Sequence, residues 1–133
     1  MMATAYASAE SVAAAIDQTL TGKTLSAEDR AQVIEDSLRG APGAKTAWPR
    51  VTSLEDISAE VPSIDVPTIV IAGEVDKVES VVWLKTALLS RAPGTPLYVL
   101  PATGHLSPLE SPREIAEIVH SFAAKVDSKP PGR

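Results

Sequence analysis

Two residues that could perform acid–base chemistry each follow a short apolar segment of the chain. Asp76 comes shortly after Val66–Ala72. His105 comes shortly after Leu97–Leu100. A carboxylate that accepts a hydrogen bond from one imidazole nitrogen fixes the tautomer and orientation of the ring, and leaves the other nitrogen free as a base. Asp76 and His105 are therefore the candidate catalytic residues, provided that the fold brings them together.

The elements around these residues are typical of a βαβ unit. Val66–Ala72 and Leu97–Leu100 have the length and composition of buried strands. Between them, Val81–Arg91 has apolar residues on one helical face, and Ser80 is a plausible cap. Such a unit makes the two strands parallel, so both end at the same edge of the sheet. Since neighbouring strands lie about 4.8 Å apart, the loops can bring Asp76 and His105 within a hydrogen bond of about 2.7–2.9 Å.

Other polar residues near these loops offer weaker alternatives. Glu74, two residues before Asp76, is a second candidate for the acid. Two hydroxyls lie near the pair in sequence: Ser107, two residues after His105, and Ser80, near Asp76. Ser107 with Pro108 and Glu110 is typical of a helix cap rather than of a nucleophile. We interpret His120 as a structural residue of the last helix.

The composition argues against several classes of function. The 133 residues include 12 Lys and Arg and 17 Asp and Glu, for a net charge of −5 with His neutral. An acidic chain without a basic stripe is not expected to bind nucleic acid or anionic membrane surfaces. There is no Cys, which excludes disulfides and thiolate metal sites. No apolar run approaches the ~18 residues of a membrane span.

The sequence predicts no cofactor and a cytoplasmic location. It has no cluster of His and carboxylates at the spacing of metal ligands, and no glycine-rich phosphate loop. The N-terminus lacks the positively charged region of a secretory signal.

The first 57 residues are predicted to be largely helical. One helix begins near Ser8, and its apolar face comprises Val12, Ile16 and Leu20. A second helix begins at Ser26, and its apolar face comprises Ala31, Ile34 and Leu38. Ala41–Pro49 is expected to be a connector in which Trp48 is a packing anchor. A short helix within Val51–Ile57 is expected to turn Leu54 and Ile57 toward the core.

The last helix is predicted to begin at Ser111, with Ser111 as the cap and Pro112 in the first helical position. Its buried face would comprise Ile115, Ile118, Val119 and Phe122. Residues 127–133 are predicted to be a disordered tail.

From Val66 to Phe122, the chain resembles the C-terminal part of an α/β-hydrolase. The segment PTIVIAGEVD is similar to the one that ends in the catalytic acid of that family, at Asp76. The segment LPATGHLSPLESP is similar to the one that carries the catalytic histidine, at His105. The resemblance implies an α/β fold: a lid-like helical segment and connector (1–57), a C-terminal βαβα part of the hydrolase core (58–126), and the tail (127–133).

One part of the family pattern is missing from this sequence. The triad serine of α/β-hydrolases lies on a G-x-S-x-G turn that precedes the acid and the histidine, and the 133 residues contain no such motif. The resemblance therefore implies hydrolysis of an ester, lactone or related bond in a small molecule, provided that an N-terminal half supplies the nucleophile. Alone, the chain is expected to be inactive. The alternative is a non-catalytic remnant that dimerises or binds a partner through the exposed strand edge at Thr68–Ala72.

Overall fold

A computed structural model describes residues 7–128. Helix α1 spans Ala9–Ala15 and continues as a π-helical turn over Ile16–Leu20. The Ser8 hydroxyl accepts a hydrogen bond from the Ser11 N–H, and the Ser11 side chain bonds back to the Ser8 backbone. The predicted start of the helix at Ser8 is thus confirmed.

Helix α2 spans Ala27–Arg39 and is capped by Ser26, as predicted. It packs against α1 around a small core of Val12, Ile16 and Leu25. Ile34 contacts this core together with Val33, whereas Ala31 and Leu38 are exposed. The predicted apolar face of α2 was therefore only partly correct, because its contact with the core is made by Val33 and Ile34.

The predicted connector is instead a helix. Helix α3 spans Pro42–Arg50, with Pro42 in its first turn, where the fixed φ of proline suits a helix and its missing N–H is not needed. Trp48 is 56% exposed, so it is not a packing anchor. Leu54, in a 3₁₀ turn over Thr52–Leu54, and Ile57 are also exposed. The expected core contacts of this stretch are wrong, because no described element covers it.

The predicted βαβ unit is present. Strand β1 spans Val70–Gly73 and strand β2 spans Leu97–Leu100. They form a parallel two-stranded sheet in which Val70 is level with Leu97. Helix α4 lies between them in sequence, spans Val81–Trp83 and continues as a π-helical segment to Leu89.

Strand β1 is shorter than the predicted Val66–Ala72. The first hydrogen bond across the sheet runs from the Val70 N–H to the Pro96 carbonyl, at 2.9 Å. Pro96 has no N–H to donate, so it cannot extend the ladder toward the start of the strands. A further 3₁₀ turn spans Val61–Ser63, upstream of this point.

Two helices follow β2: α5 spans Ser107–Glu110 and α6 spans Pro112–Asp127. Neither Ser107 nor Ser111 makes the predicted capping hydrogen bond. On α6, Val119 is 48% exposed, whereas Ile115, Ile118 and Phe122 are partly buried. Most of the predicted tail, 129–133, lies outside the described residues, and Asp127 is still helical. Within residues 7–128, no helix is both long and apolar enough to cross a membrane.

Candidate active site

The loops after β1 and β2 are joined by backbone contacts. The Glu74 N–H donates to the Leu100 carbonyl and the Val75 N–H to the Thr103 carbonyl, both at 3.0 Å. Gly73 is buried at this junction, where a Cβ atom would overlap the carbonyl oxygens of Thr103 and Gly104. The two loops therefore lie as close together as their backbones allow.

Asp76 sits in the first of these loops, and its side chain is 9% exposed. Its Oδ1 accepts hydrogen bonds from the backbone N–H groups of Val78, at 2.8 Å, and Glu79, at 2.9 Å. An aspartate that bonds to the backbone two residues ahead is a common way to stabilise a turn. This turn fixes the direction of Oδ2, the second carboxylate oxygen.

Asp76 Oδ2 lies 3.0 Å from Nδ1 of His105, at the carboxyl end of the parallel strands. The structure thus brings together the two residues that the sequence singled out. The His105 side chain is 37% exposed. Among the described residues, Nε2 of His105 has no hydrogen-bond partner, so this nitrogen is available to a group that approaches from outside.

The protonation of the pair follows from its surroundings. Burial raises the pKa of the Asp76 carboxyl. The hydrogen bond from the Glu79 N–H, followed by those from His105 and the Val78 N–H, lowers this pKa, and the net pKa lies below its usual value. At neutral pH Asp76 is thus an ionised carboxylate, which can only accept hydrogen bonds. Nδ1 of His105 must carry the proton, and Nε2 of the neutral ring is unprotonated.

The other polar residues that the sequence offered as alternatives are not hydrogen-bonded to His105. The Glu74 carboxylate accepts a hydrogen bond from the Ala102 N–H at 2.9 Å. The Ser80 hydroxyl accepts one from the Trp83 N–H and caps α4. His120 lies exposed on α6. Among the described residues, no hydroxyl is hydrogen-bonded to His105, and no side chain other than Asp76 is paired with it.

Glu110 bonds to other backbone groups than the sequence pattern predicted. Glu110 was expected to cap its own short helix, in a pattern with Ser107. Its carboxylate instead accepts hydrogen bonds from the backbone N–H groups of Gly22, Lys23 and Gly104. The spacing did indicate a carboxylate that bonds to backbone N–H groups, but two of the three donors, Gly22 and Lys23, belong to a distant segment.

Two open grooves of the described residues lie away from the Asp–His pair. Their volumes are about 480 and 770 Å³, and they are lined by neither Asp76 nor His105. Both grooves involve Ile64 and Val66, near the beginning of the strands, whereas the pair lies at the strand ends. From residue 7 to residue 128, no three His, Asp or Glu side chains lie close enough to hold a metal ion.

Comparisons with known proteins give a fold but no family. No protein-family model matches the chain, and no curated protein matches it in sequence. Among solved structures, it is similar to a membrane phospholipase A, described as a novel bacterial virulence factor, with a TM-score of 0.72 and 18% identity. The match covers 91% of this chain and 39% of the phospholipase chain. The chain thus shares the fold of a portion of that enzyme, and spans well under half of its length.

Proposed function

We propose that this chain is the C-terminal portion of an α/β-hydrolase and that Asp76 and His105 are the acid and base of its triad. The observation that carries the proposal is the 3.0 Å contact between Asp76 Oδ2 and His105 Nδ1, at the common end of two parallel strands. In this assignment, residues 58–126 belong to the hydrolase core and residues 1–57 to a lid-like segment. The shared fold with part of a phospholipase supports it.

The proposed mechanism uses both nitrogens of the imidazole. Nδ1–H donates to the Asp76 carboxylate, which stabilises the imidazolium that forms during the reaction. Nε2 accepts the proton of a serine hydroxyl as its oxygen attacks the carbonyl carbon of the ester. Nε2 then returns this proton to the leaving alkoxide, and a water molecule repeats the two steps on the acyl intermediate.

The nucleophile and the oxyanion-binding groups lie outside these 133 residues in this proposal. The sequence has no G-x-S-x-G motif. The backbone N–H groups on the histidine loop are already used: that of Gly104 by Glu110, and those of His105 and Leu106 by the Leu20 carbonyl. Groups that bind the oxyanion supply much of the rate enhancement in acyl transfer. The chain by itself is therefore expected to be inactive.

A complementation experiment tests the proposal. The chain is mixed with the N-terminal half of a related α/β-hydrolase, and hydrolysis of a chromogenic short-chain ester is followed. We expect no turnover by the chain alone, turnover by the mixture, and loss of that turnover with His105→Ala. His120→Ala is the matched control and should keep it. Restored activity that survives His105→Ala would show that the assigned base is wrong.

The DNA upstream of the Met1 codon provides an independent test. An in-frame G-x-S-x-G motif there would supply the nucleophile in the same polypeptide and would support the hydrolase assignment. A clean intergenic region would favour the second candidate function.

The substrate class in this proposal is a carboxylic ester or a related bond, and a phospholipid ester is one form that the structural neighbour suggests. Comparing hydrolysis of a soluble short-chain ester with that of phospholipid vesicles by the complemented protein separates these substrates. The cytoplasmic location remains a prediction, and fractionation of cells that express the full gene tests it.

The second candidate function is binding without catalysis, through the exposed strand edge at Thr68–Ala72, which includes the first residues of β1. One observation favours it: Ile64 and Val66, which precede this edge and line both grooves, are 50% and 64% exposed. Apolar side chains beside an unpaired strand edge are a common basis for dimerisation or strand addition. The two candidate functions compete only if the same strand edge binds both the N-terminal half and a second copy of the chain.

A further inference from the structure

The loop that carries His105 is attached to a distant part of the chain through one carboxylate. Glu110 Oε2 accepts the backbone N–H groups of Gly22, at 2.7 Å, and Lys23, at 2.8 Å. The Gly104 N–H, one residue before His105, donates to the same carboxylate, at 3.1 Å from Oε1 and 3.0 Å from Oε2. Glu110 therefore joins the turn that follows α1 to the backbone next to the imidazole.

A second set of bonds fixes the other side of the histidine. The backbone N–H groups of His105, at 2.8 Å, and Leu106, at 3.1 Å, both donate to the carbonyl of Leu20. Leu20 ends the helical segment that precedes the turn. Consecutive N–H groups from Gly104 to Leu106 thus all bond to the same junction between Leu20, Lys23 and Glu110.

The junction is packed too closely for a rigid shift of either segment. A Cβ atom on Gly104 would lie 2.6 Å from the Gly22 nitrogen and 2.8 Å from the Thr21 carbonyl carbon. Beneath it, the Lys23 ammonium lies 2.6 Å from the Ser111 hydroxyl, which lies 2.7 Å from the Thr103 hydroxyl. Ser111 and Thr103 are 2% and 0% exposed.

We propose that Glu110 is a positioning residue for His105. A carboxylate accepts hydrogen bonds from N–H groups about twice as strongly as a neutral group does. Without it, the Gly22, Lys23 and Gly104 N–H groups lose their shared acceptor, and the loop can move the imidazole away from Asp76. Glu110 touches no reacting atom, and this inference rests on the proposed function only in taking His105 as the base.

A purely structural role for Glu110 makes a different prediction. If it only stabilised the fold, its loss would lower the unfolding midpoint but leave the ring of His105 paired with Asp76 in the folded molecules. A positioning role requires that the ring itself responds. The proton on Nδ1 is the signature of pairing, because a free imidazole in water shares its proton between both nitrogens, mainly on Nε2.

The experiment reads this proton in the full chain labelled with ¹⁵N-histidine, by NMR at a pH where the imidazole is neutral. The chain has only two histidines, and His120, exposed on α6, is the internal reference. In the wild type we expect the protonated Nδ1 and the bare Nε2 of His105 to have well-separated shifts. Asp76→Asn provides the reference without the carboxylate, because the amide NH2 that replaces Oδ2 can only donate and so favours the tautomer with the proton on Nε2.

For Glu110→Ala we expect the His105 shifts to move most of the way toward those of Asp76→Asn, with His120 unchanged. Glu110→Gln keeps one acceptor oxygen without the charge, so it should give intermediate shifts, and it serves as the folded variant if Glu110→Ala unfolds. Glu117→Ala removes an exposed glutamate of α6 and is the matched control, with the wild-type spectrum expected.

Wild-type His105 shifts in folded Glu110→Ala or Glu110→Gln would overturn the proposal. So would a wild-type chain whose His105 shifts equal those of Asp76→Asn, since there would be no pairing to maintain. The proposed function can fail independently of this inference. If the complemented protein does not hydrolyse the ester, the NMR shifts measured for the Glu110 variants still stand.

Discussion

At the scale of the residue, the two carboxylate oxygens of Asp76 make different hydrogen bonds. Oδ1 holds the turn through the N–H groups of Val78 and Glu79, and Oδ2 faces His105. Asparagine retains a carbonyl oxygen that can hold the turn, but it carries no charge. The substitution Asp76→Asn therefore separates the contribution of the charge from that of the turn geometry.

We expect Asp76→Asn to lower the free energy of unfolding at neutral pH by about 1–2 kcal/mol, because hydrogen bonds to a charged acceptor stabilise more than neutral ones. The folded state lowers the pKa of Asp76. Its contribution is therefore fully present above the unfolded-state pKa of about 3.9, and is lost as the pH falls through the lower folded-state pKa. Urea unfolding of both proteins from about pH 7 to about pH 2 measures this difference.

Asp65→Asn is the control for this experiment, because Asp65 is exposed. Its free energy of unfolding should stay within about 0.5 kcal/mol of the wild type. A difference between wild type and Asp76→Asn that does not shrink at acidic pH would contradict the role assigned to the carboxylate charge.

At the scale of the element, the site depends on how closely the loops after β1 and β2 approach each other. Gly73 ends β1, and its missing side chain leaves room for the carbonyl oxygens of Thr103 and Gly104. The strands are only four residues long, and beyond them the two loops are joined by the hydrogen bonds from the Glu74 and Val75 N–H groups. The helices before residue 41 reach the site through the turn between α1 and α2 and through the helical segment before it. In that segment, the Leu20 carbonyl accepts the His105 N–H and the Gln18 carbonyl accepts a hydrogen bond from the Lys77 ammonium.

Gly73→Ala tests the backbone contact. We expect it to lower the free energy of unfolding by about 1–3 kcal/mol, because the added methyl group meets backbone atoms that can move only with the whole loop. The same displacement should shift the ring-nitrogen signals of His105 toward those of Asp76→Asn. Chemical denaturation and ¹⁵N-histidine spectra measure the two effects.

Gly43→Ala is the matched control, since a Cβ atom there has nothing within 4 Å and the residue lies in α3. Alanine is a better helix former than glycine, so this variant should be as stable as the wild type or more stable by up to about 1 kcal/mol. Equal losses of stability in both variants would show that close packing at Gly73 is not the cause.

At the scale of the whole molecule, neither outer edge of the sheet pairs with a further strand in the described residues. β1 pairs only with β2, and a two-stranded sheet is rarely stable without further strands or helices. The grooves beside it include the exposed side chains of Ile64 and Val66. A surface of this kind is expected to bind another polypeptide, either the N-terminal half that the proposed function requires or a second copy of the chain.

We therefore expect the isolated chain to self-associate, and Val66→Lys to lower the oligomer fraction at equal concentration, because a charge resists burial at an apolar contact. Sedimentation velocity over a range of concentrations measures the fraction. Val82→Lys replaces another exposed valine, 71% exposed and outside the lining of both grooves, and should leave association unchanged. A compact monomer at every concentration that melts cooperatively would contradict this prediction.

The sequence by itself determined the features that neighbouring residues control. Ser8, Ser26 and Ser80 cap helices as predicted, because each hydroxyl bonds to a backbone N–H three residues ahead. β2 has the predicted bounds, and the strand–helix–strand order made the strands parallel. From that order alone, Asp76 and His105 could be placed at one edge.

Only the tertiary structure decided the contacts between distant segments. Glu110 and Gly22 are 88 positions apart, so the local pattern around Ser107 indicated a cap, whereas the carboxylate bonds to the turn at Gly22 and Lys23. The exposure of Trp48 was equally invisible, because an apolar residue is buried only where another element covers it. Local hydrogen bonds and periodicity are written in adjacent residues, whereas burial and long-range pairing depend on which surfaces the folded chain places side by side.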